Sequence, residues 1–306
     1  MNWFWFAIIT MFAWSGSDIF SKVGCYGEKD KTAHLKMVLA VGIVMGLHAA
    51  YMVFVNDVVI SLNIILKYLP VSLLYILSMA LGYIGLRYIE LSISSPICNS
   101  SGALVALMCI IMGAMSDYTM AETTVIGIAV AVICCGVVGL GIVEAREDDE
   151  LRARRQEKSN RKYAKSWLAL CLPIAYCLLD AAGTFADSLV LETLNEDSAN
   201  VAYELTFAFA GLCCLIFLLF KKEKFTVKQE WPKYTAACFE TIGQLTYIYA
   251  LADEEHVMMS APIISAYCVV SSIWAAIFLK ERLSWKHYAM IALVIVGIII
   301  LGIYDI

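Results

Sequence analysis

Three acidic residues lie inside apolar runs, each with companions at helical spacing. Trp14, Asp18 and Lys22 recur every fourth residue, as do Tyr176, Asp180 and Thr184, while Glu240, Gln244 and Tyr247 fall at i, i+4 and i+7. That spacing stacks each set on one helix face. An ionised carboxylate in hydrocarbon costs about 2.5–3.5 kcal/mol on insertion scales, so something must offset it. No Lys or Arg lies within a turn of Asp180 or Glu240. A base on another helix, a ligand's charge or a proton has to meet them, and a proton so held is exchangeable against a substrate. Glu240, Asp180 and Glu204 are therefore the candidates for proton coupling. Two have simpler alternatives. Asp18 is able to pair with Lys22, and Glu204, about 9 Å into its helix, is able to snorkel outward or bond a neighbouring helix. Asp187 and Glu192 are expected at the outer interface.

The elements that carry these residues must be membrane helices. Of 306 residues, 61% are hydrophobic and only 16% charged, against about 25% charged in soluble domains. The apolar runs approach 20 residues, the length that crosses a bilayer core of about 30 Å. Helices are expected at about 3–23, 35–55, 69–88, 91–115, 123–143, 166–190, 198–220, 234–252, 257–279 and 285–304. The opening segment lacks the positively charged start of a signal peptide and is read as the first helix. On these boundaries Glu240 lies six residues, or about 9 Å, into the eighth.

A charged stretch at 144–165 divides the chain into five-helix halves, 1–143 and 166–306. The halves resemble one another: LGYIGLRYIELSISSPICNSSG (81–102) parallels TYIYALADEEHVMMSAPIISAY (246–267), with Pro96 and Pro262 in matching first turns. Because five is odd, the second half crosses in the opposite sense, as in the inverted repeats of secondary transporters, whose sites lie between repeats. The expected fold class is thus all-α integral membrane, with ten helices in two inverted repeats around a central cavity. Of the 22 Lys and Arg, Lys67 alone falls on the loops of one side, leaving 21 on the other. The positive-inside rule then puts both termini outside and 144–165 in the cytoplasm.

Aligning the halves at Leu86 and Leu251 sets Tyr75 opposite Glu240, and Asn99 and Tyr267 follow the two prolines. The expected substrate-binding set is Trp14, Asp18, Tyr75, Asn99, Asp180, Glu240, Gln244 and Tyr267. Aromatic faces beside carboxylates attract ammonium groups, by up to about 2 kcal/mol when desolvated. A phosphate-bearing substrate would instead want Arg or Lys at mid-membrane, and the sequence places none there. The 16 Tyr and 7 Trp are also the residues of interfacial belts.

GLRYIELSISSPI (85–97) and APIISAYCVVSSIWAAIFLKERLSW (261–285) resemble the signature segments of the drug/metabolite transporter superfamily, in its ten-helix EamA-like branch. In that pattern a proline-led helix ends in an acidic residue, matched by Glu281 and more weakly by Asp117. AWSGSDIFSK (13–22) is similar to the family's first helix, with a tryptophan near its middle. A second proline common in the family is missing near Gly102 and Cys268, and many members are drawn with cytoplasmic termini, opposite to the charge count. The resemblance implies a central cavity lined by the first, third, fourth, sixth, eighth and ninth helices, and transport driven by protons or exchange.

The function expected is secondary active transport of a small organic metabolite, preferably a cationic or zwitterionic amine. A neutral metabolite such as a sugar is the alternative, and an integral-membrane enzyme a remote one. DEEH (253–256) is the nearest approach to a catalytic cluster and reads as a turn. The eleven cysteines form no CxxC and do not combine with the four histidines at ligand spacing, so neither disulfide nor metal is expected. No GxxxxGK[ST] occurs, which argues against direct ATP use. No cofactor is expected. The expected partners are a small-molecule substrate and the lipid bilayer, with no nucleic acid, and a monomer is expected to function.

Overall fold

The computed structural model describes residues 2–25, 31–88, 91–113, 118–146, 167–279 and 283–304. Among them all regular structure is helical: α1 (Trp3–Cys25), α2 (Ala33–Phe54), α3 (Leu62–Tyr88), α4 (Leu91–Cys98), α5 (Ser101–Ile111), α6 (Met120–Ala145), α7 (Trp167–Leu191), α8 (Glu196–Phe220), α9 (Val227–Leu251), α10 (Val257–Ser265), α11 (Tyr267–Phe278) and α12 (Trp285–Tyr304), with a short 3-10 turn at Glu254–His256. Seven spans are long and apolar enough to cross a membrane, two of them the broken pairs α4–α5 and α10–α11. With α1, α9 and α12 they make ten. The chain is an all-α, multi-pass membrane protein. Most of the linker at 144–165 lies outside the described residues, as do Asp117 and Glu281.

Two expected starts are displaced. α3 begins at Leu62 and α9 at Val227, each seven residues early. Pro70 and Pro232 fall inside them near the aqueous end. A proline costs one helical hydrogen bond, and there water is able to meet the freed carbonyl. The earlier start of α9 sets Glu240 near the helix midpoint, about 20 Å from its beginning at helical rise, well beyond the 9 Å expected.

The fourth and ninth spans, expected to be continuous, are broken shortly after Pro96 and Pro262. A proline removes a hydrogen bond and crowds the carbonyl four residues back. After Pro262 the Ala266 N–H is shared between the Pro262 and Ile263 carbonyls, at 3.1 Å each. The two breaks cross. A Cβ on Gly102 would stand 2.7 Å from the Ala261 carbonyl and overlap Ser265, so only glycine fits the crossing.

α1 packs on α9, α2 on α8, α3 on α7, α5 on α10, and α6 on α12. Small residues let membrane helices approach closely: on α2, a Cβ on Gly42 would sit 2.8 Å from the Phe207 carbonyl of α8. Outward faces carry large apolar side chains such as Leu47, Leu77 and Phe209. α1 and α9, which bear the most polar stripes, turn them on each other and inward.

Candidate functional site

A cavity of about 700 Å³ opens between α1, α3, α4, α7, α9 and α11, with Tyr203 of α8 closing one wall. These are the six spans that the resemblance implied. Toward the α7 C-terminus lies a smaller chamber of about 330 Å³, lined by Asn99, Thr184 and Tyr247 among others. Trp14, Tyr176, Asp180 and Tyr267 line both and form the neck between them.

Seven of the eight expected binding residues line the larger cavity: Trp14, Asp18, Tyr75, Asp180, Glu240, Gln244 and Tyr267. Asn99 lines the smaller one. Its Nδ2 donates to the Ser95 carbonyl at 2.8 Å and to Ser95 Oγ at 3.2 Å, behind Asp18.

Each cavity carboxylate is held by serine through one oxygen. Asp18 Oδ2 accepts from Ser95 Oγ at 2.6 Å and from Ser271 Oγ at 2.8 Å. Asp180 Oδ2 accepts from Ser101 Oγ, and Glu240 Oε2 from Ser17 Oγ, both at 2.7 Å. All three carboxylates line the larger cavity. Among the described residues no Lys, Arg or His lines the cavity. Lys22 Nζ donates to the Leu86 carbonyl at 2.7 Å, and its charge acts on Asp18 from beyond direct contact. Asp18 takes these hydrogen bonds from hydroxyls, while the Asp18–Lys22 pairing given as the alternative survives as this longer-range attraction.

Aromatic rings form the remaining wall. The Trp14 ring centroid lies 4.9 Å from that of Tyr247 and 5.8 Å from that of Tyr267. Gly243 makes room for the indole, since a Cβ there would overlap it. Trp14 Nε1 and Gln244 Nε2 are buried away from the open space without hydrogen-bond partners.

Two further acids lie outside the cavity lining. Glu204 takes the neighbouring-helix alternative. It is fully buried between α8 and α2, where both its oxygens meet His48 Nδ1, at 2.7 and 3.0 Å. A neighbouring helix supplies the partner. Asp187, expected at the outer interface, is also fully buried. Tyr68 Oη donates to Asp187 Oδ1 at 2.6 Å, and Tyr75 Oη to Oδ2 at 3.4 Å. Tyr75 also bonds Tyr247, and both reach Thr184. These tyrosines wrap a carboxylate that its place near a helix end had suggested was wet.

Sequence reasoning missed the serines. Ser17, Ser95, Ser101 and Ser271 carry no distinguishing pattern, because a serine in a membrane helix commonly bonds its own backbone. Ser17 beside Asp18 was the one local signal.

Residues 167–303 match the model of the EamA-like transporter family. The match covers the second half of this chain and points to a membrane transporter of small molecules. A comparison with curated proteins finds no significant match. Among solved structures, one titled only as the crystal structure of a protein superposes with a TM-score of 0.64 at 11% identity, over 99% of this chain and 96% of its own. At that identity the likeness is one of fold, and it extends through both halves. The EamA-like half contributes Asp180, Glu240, Gln244 and Tyr267 to the site, and the first half contributes Trp14, Asp18, Tyr75 and Asn99.

Proposed function

We propose that the protein is a secondary active transporter of a small organic amine, driven by protons or by exchange. One observation carries this reading. Three carboxylates from three helices line the cavity, and among the described residues no basic side chain does. An ammonium ligand meets that charge directly, and aromatic walls add cation–π attraction. An anionic or phosphorylated ligand would find only repulsion. In the empty state protons are the remaining means of neutralising buried carboxylates, which is how coupling to a proton gradient would arise.

The architecture we propose is an inverted repeat of 1–143 and 166–306 joined by 144–165. The helix pairing supports it. Exchanging the halves turns the α1–α9 contact into the α7–α3 contact and the α5–α10 contact into the α11–α4 contact, while α2–α8 and α6–α12 map onto themselves. The distribution of Lys and Arg supports cytoplasmic placement of 144–165 with both termini outside. Impermeant cysteine labelling of intact cells should reach the termini and miss 144–165; the reverse pattern would overturn the orientation.

The functional test is a thermal-shift screen of purified protein against amines and their neutral and anionic isosteres at matched ionic strength. A ligand that binds the folded state raises the apparent melting temperature. Amines should do so. A shift from sugars or anions with none from amines would refute the amine reading.

A further inference from the structure

The cavity acids are not one cluster but two poles. Ser17, which bonds Glu240, directly precedes Asp18, so these two acids are neighbours, and both line the larger cavity alone. Asp180 lies in the neck and lines both chambers, within reach of the Glu240 charge. The serine partners mirror the separation: Asp18 takes Ser95, before the break between α4 and α5, and Asp180 takes Ser101, after it. Among the described residues no three acidic, histidine or cysteine side chains converge closely enough to hold a metal ion. A single compact cation therefore does not match the arrangement.

The neck has its own recognition chemistry. Trp14, Tyr176 and Tyr267 share the neck with Asp180, and aromatic rings beside an anion suit an ammonium group. A ligand with one ammonium group satisfies one pole and leaves the other to be met by a proton, at a cost in affinity for the charged site. An unbranched chain with an ammonium group at each end satisfies both, and it is slender enough to thread a neck between chambers.

We infer that the ligand of this site is a linear diamine or polyamine, with one ammonium group caged in the neck at Asp180 and another between Asp18 and Glu240. This deepens the amine reading proposed above and rests on it.

Calorimetric titration of the purified full-length protein with n-butylamine, putrescine and spermidine, at fixed pH and ionic strength, tests the inference. These probes carry one, two and three ammonium groups on similar chains. Putrescine should bind about tenfold or more tightly than n-butylamine, the scale of one added charge-assisted hydrogen bond, and spermidine at least as tightly as putrescine. In Asp180→Asn the ratio of putrescine to n-butylamine affinity should fall toward one. A ratio that survives in a folded Asp180→Asn variant would overturn the role given to the neck. Equal affinity of the wild-type protein for n-butylamine and putrescine would overturn the two-pole inference and leave the amine reading standing. Failure of every amine, with binding of a neutral isostere, would overturn both.

Discussion

Glu204 and Glu240 are both buried glutamates in the second half of the chain, yet they are satisfied in opposite ways. Glu204 has no accessible surface and both its oxygens meet His48. Glu240 lines the cavity and accepts from the Ser17 hydroxyl through one oxygen. Glu230 makes the same contrast within α9 itself: Lys36 and Lys233 approach its carboxylate at 3.6 and 3.0 Å. An acid paired with a base is complete. An acid that has only a hydroxyl still needs a positive charge, and that need is what a transporter turns to use. Burial alone does not mark a functional acid in a membrane; a missing base together with a place on the cavity wall does.

The contrast is sharpest for charge removal. Glu240→Gln keeps shape and hydrogen bonding and should weaken amine binding about 10- to 100-fold, the range of a lost hydrogen bond to a charged group. If Glu240 carries only the proton, the variant should instead exchange substrate across proteoliposomes while losing pH-driven accumulation. Unchanged affinity and unchanged accumulation would make Glu240 a packing residue like Glu204. In the opposite direction, His48→Ala should leave amine affinity within about twofold and lower stability by about 1–3 kcal/mol, the cost of leaving a buried partner unmet. Adding Glu204→Leu should restore most of that loss, since apolar replacement of a buried pair is often neutral. Thermal melts and binding on the same preparations separate the two effects, and loss of amine binding in the double variant would erase the distinction drawn here.

Trp14→Ala should weaken amine binding by about 3- to 30-fold, from cation–π energies of roughly 0.5–2 kcal/mol, with a smaller effect on an uncharged isostere. Equal losses for both would reduce the indole to a wall. The smallest change is expected for Ser17→Ala, which takes the hydroxyl from Glu240 and should shift amine affinity by about 2- to 10-fold. No shift there would mean that the serine orders nothing in the site.

The spans were legible because a bilayer demands about 20 apolar residues per crossing whatever the neighbours are. The faces were legible too: helical periodicity alone groups Trp14 with Asp18 and Glu240 with Gln244, and all four line the cavity. Where the spans break was harder to read. Pro96 and Pro262 were visible, but whether such prolines merely start a helix or interrupt it depends on the crossing of Gly102 with Ser265, which only packing supplies.

What the sequence determined by itself is therefore what local chemistry enforces: an all-helical membrane chain, its polar stripes and the acids within them. Which acid meets a base was decided by tertiary structure. His48 comes to Glu204 from 156 residues away, and Ser271 comes to Asp18 from 253. Asp187 looked wet from its position near a helix end until Tyr68 of α3, 119 residues distant, closed over it. Periodicity acts over one or two turns of a single helix. The pairing of a buried charge depends on which other helix faces it, and that is settled only when the bundle packs.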